Sequence, residues 1–176
     1  MTTDLSTEFA GATGTALVVG GSGGLGAAIA EMLAVRGSNV AVTFRRNEDA
    51  GNAVATRVAQ LGVRSSAHAL DVTSAKQCAA LLGDVNDTYG GLHTLVYAAG
   101  PHVPMVHLSK VSPADFAEQL TQDAVGFFNL AHPALPRSFG THLDGERPLI
   151  VLELLDGDAL GERRHAGHPR PCGPPP

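Results

Sequence analysis

The stretch ALVVGGSGGLGAAIAEMLAVRG, residues 16–37, sets five glycines between an Ala/Leu/Val run and an apolar segment of helical spacing. TALVVG (15–20) reads as a buried strand, four apolar residues stopped by glycine. LGAAIAEMLAVRG (25–37) reads as a helix, with Leu25, Ile29, Met32 and Leu33 on a helical period and Gly37 where a C-terminal cap belongs. Gly20, Gly24 and Gly26 therefore follow a strand and open a helix. Glycine lets such a turn close tightly and brings its backbone against a pyrophosphate, while the free N–H groups and the dipole at the helix start hold the anion. A ligand-free glycine loop has the same composition, but strand, turn and helix in series favour a dinucleotide.

The alternation continues along the chain. NVAVTF (39–44) is a second strand, and NEDAGNAVATRVAQLG (47–62) a helix with acids in its first turn and glycine after its last. RSSAHALDV (64–72) is a weaker third strand. A helix over 74–90 follows, with Ser74 as its cap and a glycine inside it. HTLVYAAG (93–100) and PLIVLELL (148–155) are the fourth and fifth strands, separated by a long helix over 113–135. Strands alternating with helices predict an α/β fold: a doubly wound, Rossmann-like parallel sheet of about five strands, ordered 3-2-1-4-5. The expected organisation is a flexible N-terminus over 1–14, an NADP(H)-binding domain over 15–155 and a disordered tail over 156–176. Five prolines fall among the tail's last eight residues.

Composition narrows the function. The net charge of −5 gives no electrostatic case for nucleic acid or an anionic membrane. No apolar run approaches the ~18 residues that suggest a bilayer span. The acidic, polar start lacks the pattern of a signal peptide, and two cysteines, Cys78 and Cys172, make no disulfide framework, so the expected address is cytoplasmic.

The end of the second strand bears on the choice of cofactor. An NAD-preferring fold places an acid there to bind the ribose 2′-OH. Here the strand ends TFRRNED, with Arg45 and Arg46 first and Glu48 and Asp49 falling into the next helix. Guanidinium suits a 2′-phosphate, so NADP(H) is expected over NAD(H); two solvated loop arginines are the other reading.

VVGGSGGLG resembles the Thr-Gly-x-x-x-Gly-x-Gly turn of the short-chain dehydrogenase/reductase family, and ALDVTS and YAAG follow in that family's order. The resemblance runs over about residues 15–155, and its flavour is that of the ketoacyl-carrier-protein reductases. It implies that Gly20, Ser22, Gly23, Gly24 and Leu25 line the pyrophosphate. It further implies that Asp71 and Val72 meet the adenine, with Ala98, Ala99 and Gly100 beside the adenosine ribose. Two departures stand out: Val19 at the family's threonine, and Tyr97-Ala98 where two asparagines are common.

Family catalysis uses a tyrosine as acid/base, a lysine four residues on, a serine ending the fifth strand and an asparagine in the preceding helix. The physical need is a proton donor poised beside the carbonyl that receives hydride. The tyrosines here are Tyr89 and Tyr97 and the lysines Lys76 and Lys110, so no Tyr-x-x-x-Lys exists. Asp123 occupies the asparagine position in QDAVGFFNLAHPALP, and LIVLELLDGD has no serine. No catalytic residue is therefore assigned. Asp123 as a substitute base, His102 and His107 near the nicotinamide, and a metal on His165, His168 and Cys172 are all disfavoured. Surface carboxylates and loop histidines without a role are commoner, and no core stands behind the tail.

The resemblance also implies a helix–helix homo-oligomer through 113–135, weakened because the family's catalytic half is missing. Three alternatives stay open: an NADP(H)-dependent oxidoreductase, a cofactor-binding module without turnover, and a truncated or frame-shifted product. A slip in a GC-rich gene would produce the Arg/Gly/His/Pro mixture that follows the fifth strand. None of these identifies a substrate.

Overall fold

The computed structural model describes residues 9–100, 106–134 and 149–151, the last three by backbone alone. Five parallel strands form one sheet: β1 (Thr15–Val19), β2 (Val40–Phe44), β3 (Ser65–Ala69), β4 (Leu92–Tyr97) and β5 (Leu149–Val151). Their order is β3-β2-β1-β4-β5, as the alternation predicted. Helices α1 (Gly24–Val35), α2 (Glu48–Ala59) and α3 (Ala75–Tyr89) supply the crossovers, followed by α4 (Pro113–Leu120) and α5 (Gly126–Ala134).

The strand period of two sorts the sheet's side chains into two cores. Leu17, Val19, Ala41 and Leu95 pack on one face with Cys78, Leu81, Val85 and Tyr89 of α3 and Leu130 of α5. Ala16, Val18, Val40, Val42 and Val96 pack on the other with Ala30 and Leu33 of α1 and Val54 and Val58 of α2. All five residues of β1 and of β2 are buried, as central parallel strands require, and each fully buried Leu or Val contributes about 1.5–3 kcal/mol.

The end signals act as read. Ser74 accepts the Gln77 amide and Gly37 takes positive φ just past α1; Asn47, not singled out as a cap from sequence, accepts the amide of Ala50. Most boundaries move inward by one to three residues. The third strand ends at Ala69, although the Leu70 amide still reaches the Phe44 carbonyl at 2.9 Å. Residues 9–14, expected within a flexible terminus, are docked: the Phe9 amide bonds the Arg36 carbonyl, and its ring stacks on His93 at 5.2 Å. The fifth strand is described over Leu149–Val151 only. The tail 156–176, with His165, His168 and Cys172, lies outside the described residues, as does His102.

The long helix is not continuous. Between α4 and α5, Thr121–Val125 forms a π turn. At about 100° per residue, Phe116, Leu120, Val125 and Phe128 would fan over roughly 180° of an unbroken α-helix. The wider turn absorbs about one residue and swings the later pair back towards the earlier one. All four are exposed, while Gly126, Leu130 and Ala131 are buried.

Candidate functional site

The carboxyl ends of β1, β2, β3 and β4 open onto a cleft of about 270 Å³ at the point where strand order reverses between β1 and β4. This is where open α/β sheets take their ligands. Gly20, Ser22 and Gly23 form one wall, Ala98, Ala99 and Gly100 another, and Arg45 and Val72 flank them. Four of the expected positions lie off the lining. Gly24 and Leu25 sit exposed in the first turn of α1, and Arg46 is exposed in the β2–α2 link. Asp71 turns its carboxylate back on Thr73, accepting from its amide at 3.0 Å and its hydroxyl at 2.8 Å.

Gly20 shapes the turn. Its φ is +81°, and a Cβ there would lie 2.7–2.8 Å from backbone atoms of Ala98 and Ala99. Glycine is thus needed both for the left-handed conformation and for the approach of β1 to the fourth-strand loop. Gly26 lets α1 press on the carbonyl of Gly20, which a Cβ would overlap.

With Val19 buried at the place of the family's polar residue, Thr43 ties the turn down. Its hydroxyl accepts the Gly20 amide at 3.0 Å and its carbonyl the Ser22 amide at 3.3 Å. The link to the fourth strand is a backbone one, the Ala98 amide to the Val19 carbonyl at 2.8 Å.

Thr43, Phe44, Leu70 and Gln122 also line the cleft and were not singled out from sequence. Thr43 carried a usable signal: a hydroxyl in an otherwise apolar buried strand needs a partner. Phe44 and Leu70 read only as core. Gln122 carried no signal, because its place depends on the π turn.

The electrostatics suit an anion. Gly23 offers no side chain to cap α1 and no acid lies in the first turn, so neither a cap nor a carboxylate offsets the positive end of the helix. Arg45 brings a permanent positive charge to the rim. The hydrogen bonds from Thr73 are the main cause holding the Asp71 carboxyl below its usual range, and Arg45 adds to the same shift.

The two tyrosines are both engaged. Tyr89 donates to Ser66 at 2.8 Å beneath the Arg64 guanidinium, at the far end of the sheet. Tyr97 donates to the Gln122 carbonyl at 2.5 Å, and burial, then the charge of Asp123, pushes its hydroxyl well above the ordinary tyrosine range. Asp123 is exposed and off the cleft lining. His107 caps its own 3-10 turn through Ser109. Among the described residues no group of three His, Cys, Asp or Glu is set to hold a metal, and no helix is long and apolar enough to cross a membrane.

Comparison with known proteins gives a consistent picture. The family described as short chain dehydrogenase matches residues 14–145. Elsinochrome reductase 1 of Elsinoe fawcettii is 32% identical over 150 residues, covering 85% of this chain and 54% of that protein. Acetoacetyl-CoA reductase of Paracoccus denitrificans is 34% identical over 119 residues, covering 67% and 46%. A short chain dehydrogenase from Burkholderia cenocepacia, solved in complex with NADP, superposes with a TM-score of 0.64 at 30% identity, over 69% of this chain and 49% of its own. The chain spans about half the length of these relatives.

Proposed function

The chain belongs to the short-chain dehydrogenase family, and from that premise we propose that it is an oxidoreductase-type module that binds NADP(H) in the cleft and, as residues 1–176, does not turn it over. The observation that carries the binding is the fit of the cradle. Gly20, Ser22 and Gly23 line the cleft, the start of α1 has no side-chain cap, and a guanidinium stands at the end of β2.

In this reading Gly20, Ser22 and Gly23 hold the pyrophosphate, with Gly24 and Leu25 contributing first-turn amides. Arg45 meets the 2′-phosphate, with Arg46 adding to the field. Val72 contacts the adenine, and Asp71 shapes the loop that carries it. Ala98, Ala99 and Gly100 pass beside the ribose. The bound nicotinamide would supply hydride to a carbonyl or accept it from an alcohol.

In this reading neither of the described tyrosines nor Asp123 supplies the proton. Tyr89 is at the far end of the sheet, and the Tyr97 hydroxyl is committed to a carbonyl with its proton held tightly. Asp123 is exposed and off the cleft lining. The expected result is no NADPH oxidation above background across ketones, quinones and acetoacetyl thioesters, followed by absorbance of the reduced cofactor. Sustained turnover that Asp123→Ala abolishes would overturn this and make Asp123 a base.

The exposed row Phe116, Leu120, Val125 and Phe128 supports pairing of two copies across the helix over 113–134. Sedimentation equilibrium should show a self-associating species that Phe128→Glu shifts to monomer. A wild-type chain that stays monomeric at every concentration would remove the pairing reading.

A further inference from the structure

Tyr97 does something that neither the sheet nor the cofactor cradle explains. It ends β4, one residue before the wall Ala98–Gly100, and its side chain reaches across to the long helix. There its hydroxyl donates to the Gln122 carbonyl inside the π turn Thr121–Val125. The same hydroxyl lies where a Cβ on Gly126 would fall 2.6 Å away, and that Cβ would also come 2.8 Å from Cγ2 of Val72. Only glycine lets the helix come this close.

Phe127 meets the Tyr97 ring edge-on at 5.7 Å, and Asn129 donates to the Val72 carbonyl at 3.0 Å. The helix is thus tied to two walls of the cleft, at Tyr97 and at Val72. At the first of those ties Gln122 lines the cleft. A π turn strains a helix locally and persists where surrounding contacts hold it. Here the contact is a phenol group from the neighbouring strand.

We propose that Tyr97 is a positioning residue: its hydroxyl holds the π turn in the register that places Gln122 on the cleft wall, where Gln122 contacts the bound dinucleotide. The proposal rests on the cofactor reading above and deepens it. Tyr97 itself touches no cofactor. Its action passes through Gln122, whose side-chain amide is steadied in turn by Glu118 at 3.1 Å.

The test uses the full chain and NADPH as the probe. Tyr97→Phe keeps the ring and its contact with Phe127 and removes one hydroxyl. It should weaken NADPH binding about fivefold to tenfold, the range expected for one buried hydrogen bond, and speed amide exchange at residues 121–126. Gln122→Ala should weaken binding to a similar degree without changing that exchange. The double variant should lose no more than the larger single loss, since both act through one contact.

Unchanged affinity in Tyr97→Phe overturns the proposal, and so do fully additive losses. A drop in thermal midpoint without a change in affinity assigns Tyr97 a merely structural role and overturns it equally. If Tyr97→Phe does not fold, Gln122→Ala still decides: wild-type affinity there removes the cofactor contact. If the wild-type chain binds no dinucleotide, the cofactor reading has failed. Exchange at 121–126 in Tyr97→Phe then still shows whether the hydroxyl holds the turn.

Discussion

Gly20→Ala should unfold the turn or the protein. The new Cβ would require a left-handed conformation at φ +81°, costing about 1–2 kcal/mol for an L residue. It would also press on backbone atoms of Ala98 and Ala99 at 2.7–2.8 Å, which have no rotamer to swing away. Overlap of this kind in a packed region costs about 1–3 kcal/mol more. A loss of about 2–5 kcal/mol is a large share of a small domain's stability. Urea denaturation followed by circular dichroism should show the midpoint fall sharply, and NADPH binding should be lost with it. Gly24→Ala is the control, because its Cβ would meet nothing within 4 Å and alanine favours the helix. Near-equal midpoints for the two variants would show that the close approach at Gly20 does not constrain the turn.

Arg45→Asp should reverse the cofactor preference. Both arginines are exposed, but Arg45 lines the cleft at the end of β2 and Arg46, next in sequence, is off the lining. A guanidinium on a phosphate makes paired, charge-assisted hydrogen bonds worth about 1.5–3 kcal/mol, which is about 10-fold to 100-fold in affinity. Replacing it by a carboxylate removes that and adds repulsion, so NADPH should weaken by at least this factor while NADH holds or improves. Arg46→Asp should lose much less, and both effects should shrink as salt rises. Calorimetric titration of the two cofactors against wild type and each variant measures this directly. Equal binding of NADPH and NADH by the wild-type chain would refute the arginine argument at its root.

These two predictions differ in how much of their basis was legible in the sequence. The glycine pattern of residues 20–26, between a β-rich run and a helical one, predicted the turn, the sheet type and the strand order that the structure shows. Such signals are local: a cap, a period of two or of 3.6, or a glycine at a turn acts through neighbours a few residues away. The helix start at Ser74 was readable for the same reason. The absence of Tyr-x-x-x-Lys from residues 1–176 is likewise a property of the string itself.

What surrounds the turn is decided by parts of the chain far apart. Thr43 holds Gly20 from 23 residues away, because parallel pairing of β1 and β2 brings their carboxyl ends level. Arg45 and Arg46 look alike in sequence, yet the end of β2 puts one on the cleft and the other off it. Asp71, expected beside the adenine, accepts the amide and hydroxyl of Thr73 in its own loop. The break in the long helix had no signature in TQDAV: the π turn coincides with contacts from Tyr97 on β4 and Val72 beyond β3. By itself the sequence determined the elements, their order and the glycine cradle, because those follow from local backbone preference and hydrophobic period. Only the tertiary structure decided which side chains share the cleft, since a side chain's neighbours across a sheet depend on where separate strands end.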